Sequence, residues 1–558
     1  MKLVSAKVGP FKSINVTQEV QVEPDVTVFV GMNEAGKTVF LRALQKSNDA
    51  LNEGGFKPIY DYPRKDLSSY LKRHESNPEI ATELTYALSA DEANEVNVKT
   101  LSDLKEGFRF SVSHRYNDGK TIGLHIDEKV AVKKLVEESG LSSDSLAAAL
   151  KAQTIRGLPD ALKDVSRTPE DETFLAAINA RISATPSAWT SVLAQEAWQV
   201  LTKKIPKFLY FSDYDLLPSK MNLADLAQRV AEKKTLQPKH KAVLALLRMA
   251  DISMEELSKP VGYEALKAKI EGVSLSLTDQ IMAFWKQNED LEVEIDIKAD
   301  AADEVPFNNG PNLYLRIKNR RHRGVSTPFD QRSRGFIWFF SFLVWFDSVH
   351  HQIEAGTTTS LILLLDEPGL ALHALAQADF LKYIDTLSET HQVLYSTHSP
   401  FMVHSPRLHQ VRVVEDKNGV GTTISGNVSG SDPRTIFPLQ AALGWSLAQN
   451  LFISEKNLVV EGPAELIYLQ FVSGLLELEN TGPLASDITI VPAGGLDKVS
   501  TFVALLGANG LKLAVLHDYN GSPDQRLADL VKHKLISPNE SPRVPWRPVG
   551  LSQADTAA

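Results

Sequence analysis

Two hydrophobic rhythms alternate along the chain. Short unbroken apolar runs bounded by Gly, Pro or Asp predict strands buried on both faces, and an apolar residue every third or fourth position predicts a helix with one buried stripe. By that rule residues 2–8 and 26–30 (VTVFV) are strands, set apart by Gly9-Pro10 and Pro24-Asp25, and residues 39–44 open a helix. A loop rich in Gly, Pro and aromatic residues (53–67) precedes strands near 80–88 and 108–116. From about residue 127 to 303 the rhythm is mainly helical: 145–152, 225–250 with a break at Pro238, and 263–288, where Leu266, Ile270, Val273 and Leu277 lie three or four apart. Inside this span KFLYFSDYDLLP (207–218) predicts a buried strand running into an acidic turn, in which Asp213 and Asp215 cap the turn or stand behind a site. Strands return at 313–317 (LYLRI), followed by a basic loop, KNRRHR (318–323), an apolar helix at 337–349, the strand SLILLL (360–365), a helix at 372–387 and the strand QVLY (392–395). The last third alternates strand and helix (457–460, 463–476, 488–491, 497–506, 511–516), the pattern of a parallel α/β sheet.

Composition narrows the classes. A chain of 558 residues exceeds one ordinary domain, and 43% hydrophobic with 23% charged residues is the balance of a soluble globular protein. There are no cysteines, so disulfides, zinc ribbons, iron-sulfur clusters and thiol catalysis are excluded. A formal charge of -10 excludes a generally basic nucleic-acid coat and leaves room for a local basic groove. Lys2, Lys7 and Lys12 interrupt any signal-peptide core, and the strongest apolar stretch, 336–346, is too short to span a bilayer, so no membrane contact and a cytoplasmic location are expected.

Two stretches carry readable chemistry. Residues 31–38, GMNEAGKT, fit G-x-x-x-x-G-K-[ST] between a strand and a helix. Gly31 and Gly36 let the backbone curl, so that the N–H groups of Asn33, Glu34, Ala35 and Gly36 and the helix N-terminus face a triphosphate. Lys37 is placed for the β- and γ-phosphates and Thr38 for Mg2+. The buried strand 360–365 ends in Asp366-Glu367-Pro368, a Walker B pattern in which Asp366 holds Mg2+, largely through water, and Glu367 polarises the attacking water.

The N-terminal strand with its GPFKSI turn resembles that of the RecF and SMC type of ATPase head, and two further stretches extend the likeness. In QRSRGF (331–336), Ser333 and Gly335 occupy the Ser and second Gly of the L-S-G-G-Q signature of ABC-type ATPases, and in STHSP (396–400) His398 stands at the switch histidine. The C-terminal alternation, with Glu461-Gly462 after its first strand and HDYNGS (517–522) after its third, is similar to a Toprim domain. Head followed by Toprim resembles the OLD (overcoming lysogenization defect) family of ATP-dependent nucleases. The resemblance implies an α/β fold: an ABC-type (SMC/RecF-like) ATPase head with a helical insertion, followed by a Toprim-like parallel α/β domain. It divides the chain into an N-terminal lobe with the P-loop (1–126), a mainly helical insertion for an arm or dimerisation (127–303), a C-terminal lobe with signature, Walker B and switch His (304–435), and a shortened Toprim-like domain (436–558).

By the same resemblance, Ser333 and Gly335 close over the γ-phosphate held by another subunit's P-loop, and His398 contacts that phosphate. Glu461 and Asp518 are the Toprim catalytic acids. Glu465 is an auxiliary acid, and Asn520 takes the second place of the D-x-D pair, where a neutral amide should weaken binding of Mg2+ or Mn2+. The implied function is ATP-coupled, metal-dependent cleavage of DNA by a homodimer or higher oligomer, in defence against phage or plasmid DNA. The alternative is a DNA-binding or sensing ATPase whose degenerate Toprim domain docks a separate effector and does not cleave.

Overall fold

The structure, a computed structural model, describes residues 1–51, 55–212, 216–253, 256, 263–284, 288–299, 301–354, 360–426, 435, 456–479, 481–485, 487–493 and 512–516. The chain divides into two compact units, Met1–Pro438 and Leu439–Ala558.

The first unit is organised by a six-stranded sheet of β3 (Val26–Val30), β7 (Lys207–Phe211), β12 (Leu361–Leu365), β13 (Gln392–Thr397), β14 (Val411–Lys417) and β15 (Gly421–Ser425), in the order β15-β14-β3-β13-β12-β7. Every pairing is parallel except β14 with β15. Strands β3, β12 and β13 are buried along their whole length, as the apolar runs of β3 and β12 lead one to expect. Because they run parallel, the residues after their C-terminal ends come to one edge: the P-loop, Asp366-Glu367 and His398.

A second sheet, antiparallel, joins β1 (Lys2–Val8), β2 (Gln18–Gln21), β4 (Ile80–Ala87), β5 (Arg109–Arg115) and β6 (Lys120–Gly123) in the order β2-β1-β4-β5-β6. The two sheets share one core, in which Phe29, Phe40, Leu44, Leu364 and Leu394 meet Leu3, Leu84 and Phe110. The Gln392 side chain bonds them at the head of β13. Its Oε1 accepts from the Leu3 N–H at 3.0 Å, and its Nε2 donates to the carbonyls of Leu3 and Glu23, both at 2.7 Å.

The span 127–303 differs from a simple helical insertion. Helices such as Lys129–Glu137, Ser143–Ala149 and Pro169–Ala184 build a satellite core around Val132, Val136, Leu158 and Ile178. The span also gives β7 to the edge of the central sheet, and Ala194, Ala197, Leu201 and Phe208 to its core. The run 225–250 is interrupted ahead of Pro238: Leu223–Ala231 ends, and Pro238–Met249 starts with the proline in its first turn, where no N–H is missed. Ile270, Val273, Leu277 and Ile281 form the buried stripe of Tyr263–Phe284. Asp213 and Asp215 lie outside the described residues.

A third, antiparallel sheet centres on β10 (Asn312–Asn319), with β9 (Leu291–Lys298) along one edge and β8 (Lys220–Asn222) and β11 (Val325–Pro328) sharing the other. The basic loop is charge-matched by β9 and the residue before it: Lys318 pairs with Glu294 at 2.9 Å, Arg320 with Glu292 at 3.4 Å, and Arg321 with Asp290. The apolar helix spans Arg334–Glu354, three residues longer at its start than the apolar pattern alone predicts.

In the second unit, β16 (Lys456–Val460), β17 (Ile488–Pro492) and β18 (Lys512–Leu516) form a parallel sheet in the order β17-β16-β18. Helix Pro463–Leu478 covers it through Leu466, which packs with Val460 and Ile490. The helix predicted at 497–506 lies outside the described residues. Among the described residues no helix is long and apolar enough to cross a membrane.

Candidate nucleotide and metal sites

The loop after β3 turns through Glu34 at φ 65° and Gly36 at φ 103° before helix Lys37–Ser47 begins. Gly36 cannot carry a side chain: its φ is left-handed, and a Cβ would overlap the Thr422 hydroxyl of β15. That hydroxyl donates to the Ala35 carbonyl at 3.0 Å, so Ser13, 2.9 Å away, donates to it in turn. The loop is thus gripped by β15 and by the turn after β1. Met32, Asn33, Glu34 and Ala35 line a cleft of about 410 Å³ with Glu415, Asp416, Lys417 and Thr435.

Lys37 is 5% exposed, and its ammonium uses all three donors: the Gly31 carbonyl at 2.7 Å, the Met32 carbonyl at 2.9 Å and Glu367 Oε1 at 3.0 Å. Glu367 sits at φ 48°, a strained conformation for a glutamate, which directs it from the end of β12 toward the P-loop. Its other oxygen, Oε2, faces His398: Nδ1 lies at 2.8 Å and the backbone N–H donates at 3.3 Å. The carboxylate therefore bridges Lys37 and His398.

Asp366 is held differently. Its Oδ1 accepts from Thr38 Oγ1 at 3.0 Å and from Ser396 Oγ at 2.6 Å, and its Oδ2 accepts from the Tyr210 hydroxyl at 2.6 Å. The Ser396 hydroxyl also accepts from the Glu367 backbone N–H at 2.8 Å, tying the two acids to β13. Three neutral hydroxyls orient this carboxylate and leave its negative charge in place. A hydroxyl and an uncancelled carboxylate are the hard oxygen donors that Mg2+ takes, and Thr38 can donate its proton to Asp366 while offering a lone pair to a cation. The residues fit a magnesium nucleotide.

Gly335 packs against the segment after β12, and Ser333 caps the helix it heads. The Ser333 hydroxyl accepts from the Phe336 N–H at 3.4 Å, capping its helix, and a Cβ on Gly335 would stand 3.0 Å from the Ala371 carbonyl oxygen. Gln377 braces the same segment, donating to the Gly369 carbonyl at 2.8 Å and accepting from Ser399, next to His398, at 2.6 Å.

In the second unit β16 and β18 end together, Val460 opposite Leu516, and Glu461 follows the first of them, half-buried. Glu465 turns back on its own helix: Oε2 accepts from the Gly462 N–H at 2.8 Å, which caps the helix start. Asp518 and Asn520 lie outside the described residues.

Tyr210, Ser396, Gln377 and Thr422 are the polar contacts that motif reading passes over. Ser396 stands within the STHSP stretch, two residues before His398. Tyr210 carries no local signal, because its bond to Asp366 depends on the register of β7 with β12, in which it pairs with Leu364.

A family model described as AAA ATPase domain matches residues 1–403, and one described as overcoming lysogenization defect protein-like, TOPRIM domain, matches residues 452–519. An uncharacterized protein of Methanocaldococcus jannaschii, MJECL43, is 24% identical over 194 residues, 35% of this chain and 47% of that protein. The OLD nuclease of Thermus scotoductus is 26% identical over 187 residues, 32% of this chain and 35% of that protein. The chain thus spans less than half the length of these curated relatives. Among solved structures, an SMC head bound to the C-winged helix domain of ScpA covers 76% of this chain and 97% of its own, at 12% identity and a TM-score of 0.33, too low to bear on function. The chain belongs to the AAA ATPase domain family, with an OLD-like TOPRIM domain following its ATPase head.

Proposed function

We propose that the chain binds and hydrolyses ATP at the 31–38 loop and that this cycle controls metal-dependent cleavage of DNA by the TOPRIM domain. The observation that carries the ATPase half is the Lys37–Glu367–His398 bridge beside the Thr38–Asp366 pair. Phosphates entering the loop meet its backbone N–H groups and take the Lys37 ammonium from Glu367. The freed carboxylate, still against His398, then orients water toward the γ-phosphorus and accepts its proton. Thr38 and Asp366 would hold Mg2+, which when bound would screen the charge developing on the phosphates. Ser333 and Gly335 complete the site of a second copy, so two heads enclose the nucleotides. At the second unit, Glu461, Glu465, Asp518 and Asn520 supply the acidic edge for Mg2+ or Mn2+, and defence against foreign DNA is the role we assign.

Nicking of supercoiled plasmid by the full chain, with Mg2+ or Mn2+ and with or without ATP, tests this beside Asp518→Ala. Cleavage lost in the variant supports the reading; ATP turnover without cleavage in either protein refutes the nuclease half. A second reading, an ATPase sensor whose TOPRIM domain docks an effector, is favoured by one observation. Ile467, Phe471, Leu475 and Leu478, spaced three or four apart on one helix, are 65%, 65%, 46% and 82% exposed.

A further inference from the structure

Tyr210 is 7% exposed, on the edge strand of the central sheet, and its hydroxyl reaches past β12 to Asp366 Oδ2 at 2.6 Å. On its other side the Arg42 guanidinium, from the P-loop helix, stacks on the ring with its central carbon 3.7 Å from the centroid. Arg42 is itself held by Gln45 Oε1 at 2.9 Å. We infer that Tyr210 is a positioning residue for the metal ligand Asp366, with Arg42 bracing its ring. The inference rests on the reading of Asp366 as the magnesium ligand.

The choice of donor is what points beyond packing. A buried phenol always needs an acceptor, so the bond alone would be satisfied by any carbonyl. Here it is made to a carboxylate whose other side-chain contacts, Thr38 and Ser396, are also neutral hydroxyls. A lysine or arginine in the same place would orient Asp366 as firmly but would cancel the charge that a divalent cation needs. Arg42 instead spends its charge on the face of the tyrosine ring, where it fixes the ring by cation–π attraction. With Oδ2 anchored, the carboxylate cannot rotate away when Thr38 turns a lone pair to the metal.

The test uses the full chain and a fluorescent ATP analogue, titrated in EDTA and then against free Mg2+, with hydrolysis measured over the same Mg2+ range. Tyr210→Phe keeps the ring and the stacking and removes only the hydroxyl. Affinity in EDTA should stay within about twofold, while half-maximal Mg2+ for both binding enhancement and hydrolysis should rise about tenfold, the cost of one hydrogen bond to a charged group. Turnover at saturating Mg2+ should fall less than about threefold, because the shift lies in metal affinity and not in the chemical step. Arg42→Leu, which retains the hydroxyl and loosens the ring, should move half-maximal Mg2+ about two- to threefold; if Tyr210→Phe does not fold, an unmoved value in this second variant overturns the inference. Equal loss of affinity with and without Mg2+ in Tyr210→Phe, or no change at all, also overturns it. Asp366→Asn separates the two levels: if it abolishes the Mg2+ response and Tyr210→Phe leaves it intact, only the role of Tyr210 fails. If Asp366→Asn leaves the response intact, the assignment of the metal ligand fails as well.

Discussion

Both units place acids directly after a parallel strand, Asp366-Glu367 after β12 and Glu461 after β16, yet the two edges are organised differently. In the head, each acid is held by side chains from distant parts of the chain: Lys37 and Thr38, Tyr210, Ser396 and His398. In the second unit, Glu465 is engaged by the backbone three residues before it, a bond that any helix start could make. Among the described residues, the strand-then-acid arrangement thus supports a preorganised polar cluster in one place and a locally capped helix in the other. Preorganisation matters because donors already fixed in position need no reorganisation when charge develops.

The largest expected effects probe the head. Lys37→Ala removes the cation from a site with three contacts and should weaken ATP binding on the order of a hundredfold or more, read by titration with a fluorescent analogue. Glu367→Gln keeps the shape and loses the base, so binding should persist while turnover falls about 10²- to 10⁴-fold in a phosphate-release assay. A Glu367→Gln protein that hydrolyses ATP at the normal rate would break the comparison, because the bridge to Lys37 and His398 would then be structural. On the other side, Glu461→Ala should leave ATP turnover unchanged and abolish DNA nicking. Unaltered nicking would mean that the second unit's edge is not a catalytic one.

The asymmetry between the units also sets what the sequence could disclose. A P-loop is legible because its chemistry is local: Gly36 is demanded by a left-handed turn, and Lys37 and Thr38 follow at once. The strands around it are legible because burial on both faces leaves unbroken runs such as 26–30 and 361–365. What holds Asp366 was not legible, since it depends on sheet order. The parallel pairing of β7 with β12, in a span that otherwise reads as helical, brings Tyr210 to the carboxylate. Strands β14 and β15 were missed for a related reason. β15 alternates partly exposed with buried residues over only five positions, a weak signal, although it supplies Thr422 to the P-loop. Glu465 carries two signals at once: the resemblance points to metal, while its place three residues after Gly462 is that of a helix cap, the contact the structure shows.

A smaller effect separates the units by pH. His114, on β5 of the head, has its pKa lowered to about 4 by burial, helped by the nearby Lys120 charge. The unfolded imidazole, with a pKa near 6.5, takes up its proton first. The stability this neutral histidine represents is therefore complete above about pH 6.5 and lost progressively as pH falls to 4, a change of about 3 kcal/mol in the head alone. Calorimetry across that range should show a head transition that moves down in temperature and becomes less pH-sensitive in His114→Gln. An unmoved head transition would show that the site is already wet.

The smallest effect decides what Glu465 does. If its main task is to cap Pro463–Leu478 through the Gly462 N–H, Glu465→Ala should cost about 1 kcal/mol, read as a shift in the denaturant midpoint of the second unit. Glu465→Gln should recover most of that, since an amide oxygen accepts the same bond, and it forfeits only the carboxylate's attraction to the helix N-terminus, about 0.5 kcal/mol. Metal-dependent nicking supplies the other axis. A carboxylate that also binds Mg2+ or Mn2+ must lose that function in the glutamine variant, because a neutral oxygen no longer offsets the cation's charge. Nicking retained in Glu465→Gln and stability lost only in Glu465→Ala would confine the residue to capping, leaving Glu461 as the described acid at that edge. Nicking lost in both, with the glutamine variant still stably folded, would show one carboxylate serving the helix with one oxygen and the metal with the other. The two edges would then differ in the number of their supports, not in kind.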